Sequence, residues 1–233
     1  MRAAVCLSGQ LRNFKDCYES LFENIIRPTN ADVYVYAWKF SPSNFQKDNV
    51  TQRFSENGTE EEFLDLYKPT GYHFASCDKY LGVVRDLLAK RSYLRENKAP
   101  ETSVERMMCM LYTNSKCLSL LPKRARDEYD VVFRCRTEIT YDRKITDEDL
   151  NSENLVIPYG TDGRDGYQDS FAFGPRKLMT TYMSLCHYVP IYANAHYGQM
   201  VHPEYLLKYH LKKQKVPVQR IDFPMKLRGK RYS

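Results

Sequence analysis

The feature that most constrains the fold is an alternation of short apolar runs with stretches of helical periodicity. The first run, "AAVCLS", is followed by Phe14, Tyr18, Leu21 and Ile25, which recur at the spacing of one helix face. The next run, "ADVYVYAW", has the valine and tyrosine content of a buried strand. A strand, an amphipathic helix and a second strand in this order predict an α/β sheet.

Further runs continue this pattern along the chain. The predicted strands are "YHFAS", "DVVFRCRTEI", "NLVIP", "DSFAFG" and "VPVQRID". Helices are predicted over residues 79–90, 176–188 and 203–213, and two more follow the capping boxes of Thr59 with Glu62 and of Thr102 with Glu105. The second of these carries a methionine-rich stripe typical of a core face. Asn13 is the expected N-cap of the first helix, and the polar residues 39–57 are expected to form a long loop.

Length and composition fit one globular domain. The 233 residues are 42% hydrophobic and 27% charged, and a chain of this length buries a sizeable core. We expect a single α/β domain over residues 1–225, whose central sheet is mixed, mostly parallel and flanked by helices. A basic tail over residues 226–233 is expected to follow it.

The chain lacks the signals of a membrane or secreted protein. No apolar run approaches the roughly 20 residues of a membrane span, and the apolar segment after Met1 stops at Leu7 without a cleavage site. The seven cysteines contain no CxxC pair, so neither a zinc site nor a disulfide framework is expected. These features favour a cytoplasmic protein, in the host cytoplasm if the source is viral.

Several common enzyme motifs are missing. The sequence has no P-loop, no GxGxxG after the first strand, no GxSxG and no HExxH. The five histidines form no cluster with metal-ligand spacing. Asp147 and Asp149 in "TDEDL" have the Asp-x-Asp form, but no apolar strand precedes them, so we predict a helix N-terminus there.

Polar side chains follow the first strand directly. Ligands of open α/β sheets bind at the carboxyl ends of the strands, and the first strand ends in Ser8, Gly9, Gln10 and Arg12. Gly9 allows the backbone to approach a ligand closely, while Gln10 and Arg12 supply donors for a base or a phosphate. A simple turn explains this segment equally well.

The strand "DVVFRCRTEI" carries charges where an interior strand is expected. Arg134, Arg136 and Glu138 stand at alternate positions, which predicts that all three point to one face of the strand. Burying them is costly unless they meet partners or a ligand. We favour diphosphate recognition, for which arginine forks and a carboxylate that holds a divalent cation are suited; a structural ion-pair network is the alternative.

Two carboxylates are candidates for acid–base chemistry. Asp169 stands where the loop "GTDGRDGYQ" becomes a strand, and this position should hold it rigidly at the edge of the sheet. Glu204 stands in the first turn of a helix, where the helix dipole favours its charge. Helix capping explains Glu204 adequately, and catalysis is the sharper hypothesis.

Taken together, these segments resemble a known family. The phrases "CLSGQLRNF", "DVYVYAW", "YDVVFRCRTEI", "DSFAFGPRKLM" and "HPEYLLKYHLKKQKVPVQRIDF" are similar, in order and spacing, to those of glycosyltransferases of GT-A-like, Rossmann-related fold found in bacterial surface-glycan loci and in large DNA viruses. The resemblance implies a nucleotide-sugar donor, most often a UDP-sugar, a glycan acceptor, and a divalent ion such as Mn²⁺ or Mg²⁺ on the diphosphate.

The resemblance also assigns roles to residues. It implies that Ser8, Gly9, Gln10 and Arg12 form the nucleotide-binding first loop, that Trp38 walls the nucleotide pocket, and that Arg134 and Arg136 bind the diphosphate. Glu138 is the implied metal ligand, although the Asp-x-Asp motif of such enzymes is missing here, so metal-independent transfer stays open. Asp169, or alternatively Glu204, is the implied catalytic base of an inverting reaction; retention also stays open.

Two other classes of function are compatible with the sequence. A noncatalytic nucleotide- or carbohydrate-binding module would use the same loops without turnover, and the missing Asp-x-Asp favours it. The 19 tyrosines and the net charge of +6 also permit single-stranded RNA binding through stacking. The tyrosines are spread over predicted strands and helices without an RNP-like motif, so no nucleic-acid partner is expected.

Overall fold

The computed structural model describes residues 1–39, 58–76, 80, 82, 101–122, 129–160, 162–195 and 202–228. Its strands are β1 (Ala3–Gln10), β2 (Asp32–Trp38), β3 (Gly71–Ala75), β4 (Val131–Cys135), β5 (Ile139–Tyr141), β6 (Leu155–Pro158), β7 (Phe171–Pro175), β8 (Val218–Ile221) and β9 (Met225–Leu227). Its helices are α1 (Phe14–Leu21), α2 (Glu60–Tyr67), α3 (Glu101–Leu118), α4 (Asp147–Leu150), α5 (Arg176–Met183), α6 (Val189–Ala195) and α7 (Pro203–Lys213).

The main sheet has the strand order β3-β2-β1-β4-β7-β6-β8. All neighbouring strands pair in parallel except β7, which is antiparallel to both β4 and β6. The predicted α/β fold with a mixed, mostly parallel sheet flanked by helices is therefore confirmed. Because β7 runs against its neighbours, it begins at the edge where the parallel strands end.

Helices cover both faces of this sheet. Alternate side chains of β1 point to opposite faces, so that Ala4 and Cys6 pack in one apolar cluster while Val5 and Leu7 pack in another. Helices α3, α5 and α7 cover the first face, and α1 and α2 cover the second. In the described part of the chain, no helix is both long and apolar enough to span a membrane.

Local signals in the sequence predicted several element boundaries. The Thr59 and Glu62 capping box is present at the start of α2, and a Thr146 and Asp149 box starts α4 within "TDEDL". The prediction of a capping box at Thr102 is wrong, because α3 already includes Glu101. The 176–188 helix is shorter than predicted, since α5 ends at Met183 and a 3-10 turn over Leu185–His187 follows.

The first helix differs from its prediction in two ways. Asn13 precedes α1 as expected, but it has a left-handed backbone (φ 46°) and its side chain does not cap the helix. Its Nδ2 instead donates to the carbonyl of Arg228 at 3.4 Å. Beyond Leu21 the helix continues as a π-helical stretch, Phe22–Ile26, and a final turn, Arg27–Thr29.

The expected domain boundary after residue 225 falls inside a strand. Met225–Leu227 form β9, which pairs with β5 in a separate two-stranded antiparallel sheet. The next amide, that of Arg228, donates to the carbonyl of Glu138 at 2.8 Å. Residues 226–228 therefore belong to the fold rather than to a tail; residues 229–233 lie outside the described residues. So do residues 40–57 of the predicted loop and most of the predicted helix over 79–90.

Candidate active site at the carboxyl edge of the sheet

The fold brings most of the predicted site residues to one edge of the main sheet. The parallel strands end there, and β7 begins there, since Cys135 at the end of β4 pairs with Phe171 at the start of β7. The end of β1 lies beside the end of β2, where Gln10 pairs with Trp38. This edge is where ligands of open α/β sheets bind.

The first loop is open at Gly9 and anchored just after it. Gly9 has φ +115°, and a Cβ added there would meet nothing within 4 Å, so this stretch of backbone borders open space. Thr137 fixes the rest of the loop. Its Oγ1 lies 3.1 Å from the Gln10 carbonyl and 3.2 Å from the Arg12 carbonyl, and it accepts from the Arg12 amide at 3.3 Å. No pattern in the sequence indicated this role for Thr137.

The charged strand does not continue as predicted. β4 ends at Cys135, Thr137 and Glu138 form a turn, and β5 starts a different sheet at Ile139. The expectation that Arg134, Arg136 and Glu138 share one strand face is therefore wrong. The turn folds the chain back so that Arg136 bonds Glu138 directly, with Nε 2.9 Å from Oε1 and Nη2 also donating to Oε1.

This ion pair is largely withdrawn from water. The side chain of Glu138 is 5% exposed and that of Arg136 is 24% exposed. Burial lowers the pKa of the Arg136 guanidinium, but the charges of Glu138, Asp169 and Glu204 outweigh burial, and the pKa is raised overall. The structure thus places the two predicted catalytic carboxylates within electrostatic reach of one arginine.

Arg134 has a different environment from Arg136. It is 0% exposed and points to the sheet face that α3 covers, where it pairs in register with Cys6 of β1. Its Nε donates to Oδ1 of Asn114 at 3.3 Å, and its Nη1 donates to the main-chain carbonyl of Asp169. Ser8 is also buried and donates to the same Asn114 Oδ1 at 2.6 Å. Ser8 and Arg134 are therefore turned into the protein.

The Asp169 loop is held by a buried glutamine. Oε1 of Gln168 accepts from the amides of Ser170 (3.0 Å) and Phe171 (3.2 Å), and its Nε2 donates to the Phe171 carbonyl at 2.5 Å. The main-chain amide of Gln168 donates to the carboxylate of Asp162, which also forms an ion pair with Arg220. These bonds hold the backbone on both sides of Asp169.

Glu204 lies in the first turn of α7, against the same loop. Its carboxylate pairs with Nδ1 of His202 at 2.5 Å, and its main-chain carbonyl accepts from the amide of Tyr167 at 3.1 Å. Gly163 and Gly166 allow this approach. A Cβ on Gly163 would lie 2.7 Å from Oε2 of Glu204, and one on Gly166 would overlap the Glu204 carbonyl. Gly166 is thus required for packing, because the atoms that its Cβ would overlap belong to the main chain.

Trp38 lies in an aromatic cluster at the end of β2. Its ring is 5% exposed and stacks on Tyr112 at 5.9 Å and on Tyr80 at 5.8 Å between centroids. Tyr36 packs against both Trp38 and Tyr112, and burial together with the neighbouring Tyr112 raises the pKa of Tyr36 to about 12. In this arrangement Trp38 supports the edge of the sheet and offers a ligand little ring surface.

The expected metal ligand does not fit a divalent ion. Oε1 of Glu138 accepts twice from Arg136, and Oε2 lies 3.5 Å from Oγ1 of Thr137. An ion at Oε1 would have to displace the guanidinium of a largely buried pair, and Oε2 by itself offers only one oxygen ligand. No group of three or more His, Cys, Asp or Glu side chains in the described ranges is arranged to hold a metal ion. Asp149, the second aspartate of the Asp-x-Asp in "TDEDL", accepts hydrogen bonds from Arg143 at 2.7 and 2.8 Å.

Comparisons with known proteins give likenesses of fold and no match in sequence. No protein-family model matches the chain, and no curated protein matches it in sequence. Among solved structures, the fold is similar to the apo form of mouse xyloside xylosyltransferase 1, with 8% sequence identity and a TM-score of 0.49 over 95% of this chain and 86% of that chain. A likeness of this degree identifies neither a reaction nor a site.

Proposed function

We propose that this protein is a glycosyltransferase that moves a sugar from a nucleotide-diphosphate donor, a UDP-sugar, to a hydroxyl group of a glycan acceptor. The observation that supports this most is the position of Arg136 among Glu138, Asp169 and Glu204 at the carboxyl edge of the sheet. Such a transfer needs a cation where the diphosphate departs and a carboxylate where the acceptor hydroxyl loses its proton. Arg136 bonds Glu138 directly, and the charges of Asp169 and Glu204 contribute to raising its pKa.

The donor enters beside the first loop. The open space at Gly9 lets the nucleotide lie against the backbone, and Gln10 and Arg12 supply donors for its base and phosphates. Arg136 donates to the diphosphate from the end of β4. In this proposal Ser8, Arg134 and Trp38 support the site from within the fold rather than contacting the nucleotide.

In the transfer step, the acceptor oxygen forms a bond to the anomeric carbon while the bond from that carbon to the diphosphate oxygen breaks. The electron pair of the broken bond leaves with the diphosphate, whose charge is met by Arg136. The acceptor proton passes to a carboxylate, for which Asp169 is the first candidate and Glu204 the second. General base catalysis of this kind contributes about 10²- to 10⁴-fold.

The charge balance around Arg136 bears on the expected Mn²⁺ or Mg²⁺. The charges of three carboxylates act on one guanidinium, so an incoming diphosphate meets an excess of negative charge. Divalent ions in such sites are often held by one or two carboxylates together with substrate phosphates. Glu138 does not fit as a ligand for such an ion, but the negative charge leaves a place for one beside the diphosphate. The ion is therefore a proposal, which is tested by measuring UDP affinity with and without Mn²⁺; equal affinities would remove it.

The test is release of nucleoside diphosphate from a panel of nucleotide sugars, with and without Mn²⁺ or Mg²⁺. We expect release from at least one donor and a loss of release in Asp169→Asn. Asp165→Asn is the matched control, because Asp165 is an exposed carboxylate of the same loop with a left-handed backbone (φ 58°) that asparagine tolerates. This control should keep full activity.

The alternative is a noncatalytic nucleotide- or carbohydrate-binding module. The engagement of Glu138 by Arg136 favours it, because the carboxylate that would carry a metal ion is already paired. The same panel separates the two functions. Nucleotide binding without release from any donor would reject the transferase and support the module.

A further inference from the structure

A buried polar network connects the first loop to the Asp169 loop through the helix α3. Ser8 of β1 and Arg134 of β4 both donate to a single acceptor, Oδ1 of Asn114. Arg134 also donates to the main-chain carbonyl of Asp169. The hydroxyl of Tyr182, in α5, donates to the same carbonyl at 3.3 Å. Four separate elements therefore meet at these few atoms.

The network is costly to bury. Arg134 is 0% exposed, Asn114 is 3% exposed and Ser8 is 5% exposed. Nη2 of Arg134 is also buried and has no hydrogen-bond partner among the described residues. A buried guanidinium usually has a carboxylate partner, whereas this one is held by an amide oxygen and a main-chain carbonyl. Stability alone does not account for such an arrangement, since an apolar side chain at this position would avoid the cost.

We infer that Asn114 and Arg134 are positioning residues, which fix the backbone of Asp169 relative to the nucleotide-binding loop. The inference rests on the proposed function for its catalytic consequence. Asn114 is the junction, because its Oδ1 holds Ser8 on one side and Arg134 on the other. Arg134 then sets the Asp169 carbonyl, and Gln168 sets the amides that follow it. The carboxylate of Asp169 is thereby held where the acceptor hydroxyl must lose its proton.

A double-mutant cycle tests this inference. Asn114→Leu removes the shared acceptor with little change in volume, and Asn114→Asp keeps an acceptor for both donors. We expect Asn114→Leu to lower kcat by up to about 100-fold, the cost of misplacing a catalytic group by roughly 1 Å, while the affinity for UDP changes less than about threefold. Asn114→Asp should retain most of the activity.

The cycle separates positioning from general stability. In an Asp169→Asn background, Asn114→Leu should lower the remaining rate by less than about twofold, because the group that it positions is already disabled. Thr113→Val is the matched control on the same helix, since Thr113 is buried and its hydroxyl, among the residues that the structure describes, bonds only the Met110 carbonyl of its own helix at 2.7 Å. It should keep normal kcat. Equal losses in both backgrounds would overturn the inference.

Amide hydrogen exchange gives a readout that does not depend on turnover. Asn114→Leu should speed exchange at Ser170 and Phe171 by about tenfold or more relative to Thr113→Val, because their backbone loses its anchor. If the wild-type protein releases no nucleoside diphosphate, the proposed function fails, and this measurement still decides the positioning role. Unchanged exchange at these two amides would overturn it in either case.

Discussion

Replacing Arg136 tests the donor site and the buried ion pair together. Arg136→Ala leaves Glu138, whose side chain is 5% exposed, without its partner. Removing one member of a buried pair costs roughly 3–5 kcal/mol. Because Arg136 itself is 24% exposed, water can reach the stranded carboxylate, and we expect a loss of about 2–3 kcal/mol in the free energy of unfolding.

Two measurements check this prediction. Urea unfolding can be followed by the fluorescence of Trp38, the single tryptophan, which is buried. The double variant Arg136→Ala with Glu138→Gln should recover about half or more of the lost stability, because it removes the unpaired charge. Titration calorimetry with UDP should show affinity reduced by about 10- to 100-fold, the value of one charge-assisted contact.

A second arginine and carboxylate pair provides the control. Arg143 and Asp149 bond each other through two hydrogen bonds at the start of α4. Arg143→Ala should destabilise the protein but leave the affinity for UDP unchanged. The reasoning is refuted if Arg136→Ala binds UDP as tightly as the wild-type protein, or if Glu138→Gln restores no stability to it.

Three further predictions concern other parts of the molecule. Asp169→Asn should lower turnover, measured as nucleoside diphosphate release, by about 100-fold or more and should lower UDP affinity far less. A wild-type rate would indicate that Glu204 is the catalytic base or that the transfer retains configuration. Gly166→Ala should cost about 1–3 kcal/mol of stability by thermal unfolding, since its Cβ would overlap the main chain of Glu204, and a normal melting temperature would contradict this packing. Burial lowers the pKa of His210, whose Nε2 faces the Thr181 carbonyl at 2.9 Å and whose Nδ1 lies 2.7 Å from the Tyr192 hydroxyl. The contribution of neutral His210 to stability is therefore complete above the unfolded pKa of about 6.5. It is lost as pH falls below that value toward the lower folded pKa, by up to about 1.4 kcal/mol per pH unit. In urea unfolding, His210→Gln should flatten this part of the pH dependence of stability.

The sequence was sufficient for the fold class and for predicting that its polar strand ends meet at one edge of the sheet. Apolar runs with strand propensity and stretches of helical period are local properties, and they predicted seven strands of the main sheet within a few residues. The polar ends of these runs pointed to the carboxyl edge. Capping chemistry is equally local, which is why the Thr59 box was predicted and found.

Other features depended on contacts between distant parts of the chain. Local alternation predicted a continuous strand through Glu138, but β4 ends at Cys135 because the following residues pair with β9 and with the first loop instead. The methionine stripe of α3 was assigned to the core, and Asn114 lies on it three residues after Leu111. An asparagine on an apolar helix face was the one signal of the buried network, and its partners could not be read from spacing.

By itself, then, the sequence determined the alternation of strands and helices, the apolar interior of each strand and the chemical groups available at the strand ends. Only the tertiary structure decided which of those groups lie at the open edge of the sheet and which are buried. Ser8 and Asn114 are 106 residues apart, and Arg134 and Asp169 are 35 apart. The free energy of a buried charge depends on the partners that the fold brings to it, so Arg134 and Arg136, two residues apart in one motif, take different roles.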